Sequence, residues 1–177
     1  KDGPGQVLVG DTATYTLRAT NPTGAGQVPQ YNLSFRDVLP VGVVYEGPTT
    51  PSSAGAPTIY TNRLVPSDPT TEYQTLVWSN VADLQINSSA DISFVVRALR
   101  DPKPVSSTFT NQAGAYTNAD PRYVPKFDPT TGEPVPGPTS YTASATVTTG
   151  STGVTAFTID KASAPNPEGE LMRGIHD

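Results

Sequence analysis

Thr12-Ala13-Thr14-Tyr15-Thr16-Leu17-Arg18-Ala19-Thr20-Asn21 alternates without a break. Ala13, Tyr15, Leu17 and Ala19 fall on one side, and the threonines with Arg18 fall on the other. A period of two is the pattern of a strand with one face buried and one face wet. Gly10-Asp11 opens the stretch and Asn21-Pro22-Thr23-Gly24 closes it. Proline there removes a backbone donor and glycine tolerates a turn.

The same reading extends outward. Residues 31–38 form the next expected strand, ending at Leu39-Pro40-Val41-Gly42, and residues 43–46 form a short one. Residues 59–65 and 73–78 pair around Pro66-Ser67-Asp68-Pro69, and residues 81–86 lead through Asn87-Ser88-Ser89 into 90–99, where Ile92, Phe94 and Val96 point inward. Further strands are expected at 108–117 and 141–148, joined by a long Pro-rich hairpin loop at 118–138. Residues 47–58 read as a surface loop. About nine short strands with turn signals at this spacing predict an all-β, immunoglobulin-like β-sandwich. Trp78 and Phe94 lie on strand patterns and belong to its core.

Composition narrows the function. The 177 residues suffice for one core, and 15 Gly with 19 Pro favour turns over helices. With a net charge of −5 and no basic patch, no nucleic-acid surface is expected. No apolar run approaches the roughly 20 residues of a membrane span, so no membrane insertion is expected of this segment. The absence of cysteine removes disulfides, thiolate nucleophiles and cysteine-based metal sites. The one histidine, His176, leaves no Ser-His-Asp arrangement in the folded region, and the chain is expected not to be an enzyme. No cofactor and no metal site is expected. The acids nearest to a calcium pattern, Asp120, Asp128 and Glu133 or Asp68 and Glu72, lack EF-hand spacing. Asn32-Leu33-Ser34 and Asn87-Ser88-Ser89 match the glycosylation acceptor pattern, Asn32 being the poorer because it lies beside a strand.

Two polar residues break the inward pattern. In Leu33-Ser34-Phe35-Arg36-Asp37, parity sets Asp37 beside Leu33 and Phe35, with Ser34 and Arg36 outward. In Phe109-Thr110-Asn111-Gln112-Ala113, it sets Asn111 beside Ala113. A buried amide without a partner costs roughly 2 to 7 kcal/mol, and a charge costs more. A lysine joins them by a loose repeat. Lys161 shares a face with Phe157 and Ile159 and precedes Gly174-Ile175-His176-Asp177, much as Lys1 precedes Val9-Gly10-Asp11. Lys1 is therefore the candidate partner of Asp37 and Asn111, and Lys161 serves a following unit. Residues 1–148 then form one domain. Residues 149–177, opening with the linker-like Gly150-Ser151-Thr152-Gly153, form a linker and the first strand of a following repeat, or a strand donated to a neighbouring subunit.

Gly10-Asp11-Thr12-Ala13-Thr14-Tyr15-Thr16, Asp37-Val38-Leu39-Pro40-Val41-Gly42, Leu76-Val77-Trp78, Ser93-Phe94-Val95-Val96 and Asn111-Gln112-Ala113 occur in the order that resembles the conserved-repeat domain of prokaryotic surface proteins. The resemblance covers roughly residues 1–148 and implies a module of an extracellular, cell-surface stalk, adhesin or fibre. Its partners would be neighbouring repeats or identical subunits, with a host or matrix glycan or protein as a further ligand. The chain is also similar to the isopeptide-forming domains of pilins and fimbrial adhesins. That match implies Lys1 as the amine, Asn111 as the acceptor and Asp37 as the catalyst. The competing reading has Asp37 capping the turn into Leu39-Pro40 and Asn111 bonding backbone at a bulge. Two further functions stay open: adhesion through an exposed tip formed by Tyr116, Tyr123 and Phe127, and assembly of a fibre by strand addition.

Overall fold

The computed structural model describes residues 1–100, 108–138 and 140–152, with the backbone alone at 108–109 and 144–152. Among these, eleven strands follow in order: β1 Gln6–Leu8, β2 Thr12–Asn21, β3 Gln30–Val38, β4 Val43–Thr50, β5 Thr58–Arg63, β6 Glu72–Leu84, β7 Ser88–Ala98, β8 Thr108–Asn118, β9 Lys126–Phe127, β10 Pro134–Val135 and β11 Ser140–Thr152. Six form one sheet in the order β1-β11-β8-β3-β6-β5, and three form a second, β2-β7-β4. The β9–β10 ribbon stands apart from both. The molecule is an all-β sandwich, with β2 against β7 in one sheet and β3-β8-β11 in the other, as in immunoglobulin-like folds.

Inward residues of both sheets meet in one core. Tyr15 and Leu17 of β2, Leu33 and Phe35 of β3, Leu76 and Trp78 of β6, and Ile92, Phe94 and Val96 of β7 are all buried. Trp78 packs on Phe94 with ring centroids 4.8 Å apart, and its Nε1 donates to Thr49 Oγ1 at 3.1 Å. That bond satisfies the indole in an apolar setting.

The strand boundaries depart from the sequence reading in four places. Residues 73–78 and 81–86 are not two strands, because β6 runs unbroken from Glu72 to Leu84. Asn80 takes a left-handed φ of 54°, which lets the chain bend there without ending the ladder. β4 continues to Thr50, where Thr49 and Thr50 still pair with Phe94 and Ser93. Gly150, Ser151 and Thr152 are strand and not linker, because they pair in parallel with Gln6, Val7 and Leu8, so the ladder runs past the boundary expected at 148. Lys161 and the expected donated strand lie outside the described residues.

The fourth departure concerns residues 118–138. They do not project as a hairpin tip but lie back over the outer face of the larger sheet. Asn32 Nδ2 donates to the carbonyls of Pro121 (3.0 Å) and Tyr123 (2.8 Å). Arg36 Nε donates to Gly132 O at 2.9 Å, Arg36 pairs with Glu133, and Asn62 Nδ2 donates to Thr131 O at 3.1 Å. Gly132 is required at this seat. Its φ is +71°, and a Cβ there would lie 2.6 Å from the Tyr60 ring. Ser34, expected outward in water, is instead fully buried. β3 is irregular between Gln30 and Phe35, and Ser34 Oγ donates to Asn32 O and accepts from Asn80 N.

Candidate functional site

Strand pairing alone brings Asp37 and Asn111 together. Asp37 opposes Ala113 across the β3–β8 ladder, and Asn111 is two residues from Ala113 on the same face. It is therefore the diagonal neighbour of Asp37, at a spacing side chains can bridge. Both side chains are wholly buried. Ala113 between them is small and leaves the space above it to a third group.

Lys1 fills that space from the opposite sheet. Asp2 exchanges two backbone hydrogen bonds with Thr16, at 2.8 and 2.9 Å, and so lies on the outward parity of β2. One residue earlier, Lys1 opposes Leu17 and faces the interior. Gly3, one residue later, lies against Tyr15, where a Cβ would meet the ring at 2.4 Å. The lysine Nζ stands 5.2 Å from the Tyr15 ring centroid and 2.5 Å from Asp37 Oδ2, with side-chain exposures of 1% for Lys1 and 0% for Asp37. The sequence reading missed Tyr15 and Gly3 as parts of this site. Tyr15's inward parity was legible, but its contact with Lys1 depends on the Asp2–Thr16 bridge.

Electrostatics follow from depth. Burial pushes the Asp37 carboxyl above its usual range, opposed by the Lys1 charge and hydrogen bond, by Asn111 and by Arg36. Burial likewise pulls the Lys1 amine down, opposed by Asp37. Both shifts favour the neutral acid and neutral amine over the ion pair, because a low dielectric penalises either charge. The Asn111 carboxamide stands beside Asp37 without completing a hydrogen bond. Its Nδ2 and Oδ1, together with Asp37 Oδ1, are buried polar atoms without a partner. This overturns the reading of Asp37 as a turn cap and Asn111 as a bulge ligand, since neither makes such a bond.

The other candidate residues are placed differently. Tyr116 and Phe127 meet edge to face at 5.4 Å, and Tyr123 packs its hydroxyl against Gly137 while its carbonyl holds Asn32. All three are half-buried in the folded-back segment and do not form a free tip. Asp128 accepts from the backbone of Thr130 and Thr131, Asp120 pairs with Arg122, Glu72 with Arg63, and Asp68 caps Thr70. Among the described residues no cluster of acids or histidine is arranged to hold a metal ion. Asn32 is buried and committed to two carbonyls, whereas Asn87 is exposed at a turn. Among the described residues no helix is long and apolar enough to cross a membrane.

No protein-family profile and no curated protein matches the sequence. Among solved structures the chain is similar to AvmM, which catalyses macrocyclization in alchivemycin A biosynthesis, at 10% identity and a TM-score of 0.49, covering 87% of this chain and 88% of that one. That neighbour is a catalyst, so the expectation that this chain is not an enzyme does not stand. At this identity and TM-score the likeness assigns no activity here.

Proposed function

We propose that this chain is a structural module of an extracellular bacterial surface protein, locked by an isopeptide bond that Lys1 and Asn111 form with Asp37 as proton carrier. Its partners are adjoining units of the same protein. The observation that carries the reading is the pairing of a buried lysine with a buried carboxyl beside a carboxamide whose polar atoms are unbonded. Such groups are costly to retain for packing alone, at about 1 to 3 kcal/mol for each unsatisfied one.

The chemistry uses only these residues. With the proton of the pair on Asp37, Lys1 Nζ is a free amine and attacks Cγ of Asn111. Protonated Asp37 hydrogen-bonds to the amide oxygen as negative charge builds there. Asp37 then takes a proton from the attacking nitrogen and returns one to Nδ2. The Cγ–Nδ2 bond breaks, ammonia leaves, and a Cγ–Nζ amide remains. No oxidant or cofactor is consumed. The link closes a loop from residue 1 to residue 111, which by analogy with a disulfide contributes on the order of 4–5 kcal/mol.

Intact mass spectrometry tests it. The parent is expected one ammonia lighter than its sequence mass, while Asn111→Ala and Asp37→Ala have their full masses. A full-mass parent refutes the bond.

A further inference from the structure

β2 is an outer strand of the smaller sheet. Because Thr16 bonds Asp2 across that edge, the backbone groups of every second residue point the same way, including those of Arg18 and Thr20. Among the described residues neither has a partner there. Beside this edge a cavity of about 290 Å³ opens between the sheets, lined by Leu17, Ala19, Asn21, Leu33, Phe35 and Ala115 among others, with Lys1 also on its wall. Its lining is mainly apolar. An unpaired strand edge next to an unfilled apolar seam is a template for an added strand.

The register of that strand follows from Lys1. Asp2 opposes Thr16 and Lys1 opposes Leu17, so a strand prolonging this line backwards would meet Arg18, Ala19, Thr20 and Asn21 in turn. Phe157-Thr158-Ile159-Asp160 has the matching pattern and leads into Lys161, as the empty line leads into Lys1. We propose that the groove receives residues 157–160 of a second copy of this chain as an antiparallel strand on β2. Ile159 packs against Ala19, Phe157 reaches the wall at Asn21, and Asp160 stands opposite Arg18. This last pairing sets opposite charges across the ladder.

The occupant must come from another copy because the same chain cannot reach. Tyr141 lines the groove at the level of Asn21, and β11 carries the chain from there to Thr152 at the other end. Those eleven steps span about 36 Å at about 3.3 Å each. Residues 153–157 extend over at most about 18 Å, too short to bring Phe157 back. The proposal does not depend on the Lys1–Asn111 bond.

Sedimentation of the full chain over a concentration series, with amide exchange read at Arg18 and Thr20, tests it. Association is expected to grow with concentration, with exchange at both amides slowing about tenfold when about nine-tenths of the grooves are filled. A Phe157→Asp, Ile159→Asp double variant is expected to stay monomeric with fast amides, and a synthetic peptide of residues 154–160 added to it is expected to slow them again. Monomers with fast amides at every concentration would overturn the proposal. So would monomers with slow amides, which place the chain's own segment in the groove, and association that leaves both amides fast, which places the contact elsewhere.

Discussion

Arg36 and Asp37 are neighbours on β3, yet their surroundings obey opposite rules. Arg36 faces outward and is satisfied by Gly132 O and Glu133, which bind the returning segment of residues 118–138 to the sheet. Asp37 faces inward, where one carboxylate oxygen meets Lys1 and the other meets nothing, beside an amide in the same condition. Where polarity serves packing, the bonds are complete. Incomplete bonding in the dry interior marks the place where a reaction, and not a static contact, accounts for the residues. The difference teaches that burial of a polar group is a weak signal of function until its partners are counted.

The contrast yields graded expectations. Asp37→Ala removes both the proton carrier and the partner of a buried cation, and is expected to cost about 3 to 5 kcal/mol for the broken pair in addition to the lost link, read by denaturant unfolding alongside intact mass. Asn111→Ala loses the link, on the order of 4–5 kcal/mol, but also deletes an unpaired amide, which returns about 1 to 3 kcal/mol. Its net loss should therefore be the smaller of the two. If Asn111→Ala unfolds as late as the parent, the interior site has no covalent role.

On the outer face, Gly132→Ala forces a Cβ against Tyr60 at a positive φ and is expected to cost about 1 to 3 kcal/mol. The ammonia deficit should persist in that variant. Loss of the deficit would show that the two faces of β3 act as one unit.

The smallest effect is in pH. In the linked protein Asp37 titrates alone with its pKa raised by burial, so its contribution is full below the unfolded value of about 3.9 and declines as pH rises through the folded one. In Asn111→Ala the free Lys1, with its pKa lowered, shares one proton with Asp37 in the folded state. The unfolded pair also holds one between about 3.9 and 10.4. The pair's contribution is then flat over that window, and the stability difference between parent and variant should shrink with rising pH. Unfolding curves at several pH values check the sign.

Much of this was legible in the chain. The alternation of residues 12–21 and 90–99 gave β2 and β7 with the correct inward faces, and parity alone turned Asp37 and Asn111 toward the core. Parity failed at Ser34, because a local irregularity in β3 and a cover of distant residues decide burial there, and period two encodes neither. It also could not orient Lys1, whose face depends on one bridge between Asp2 and Thr16. The folding back of residues 118–138 was hidden for a similar reason. Pro-rich loops look alike in sequence whether they project or are pinned by an asparagine and an arginine from elsewhere.

β1 and β11 run in parallel, Gln6 beside Gly150 and Leu8 beside Thr152. Tension entering ahead of β1 and leaving behind β11 pulls these strands past one another lengthwise. Every hydrogen bond between them is then strained at once in shear, and none can be peeled open singly. The first and last strands thus form a grip suited to transmitting a pull along the long axis of the sandwich.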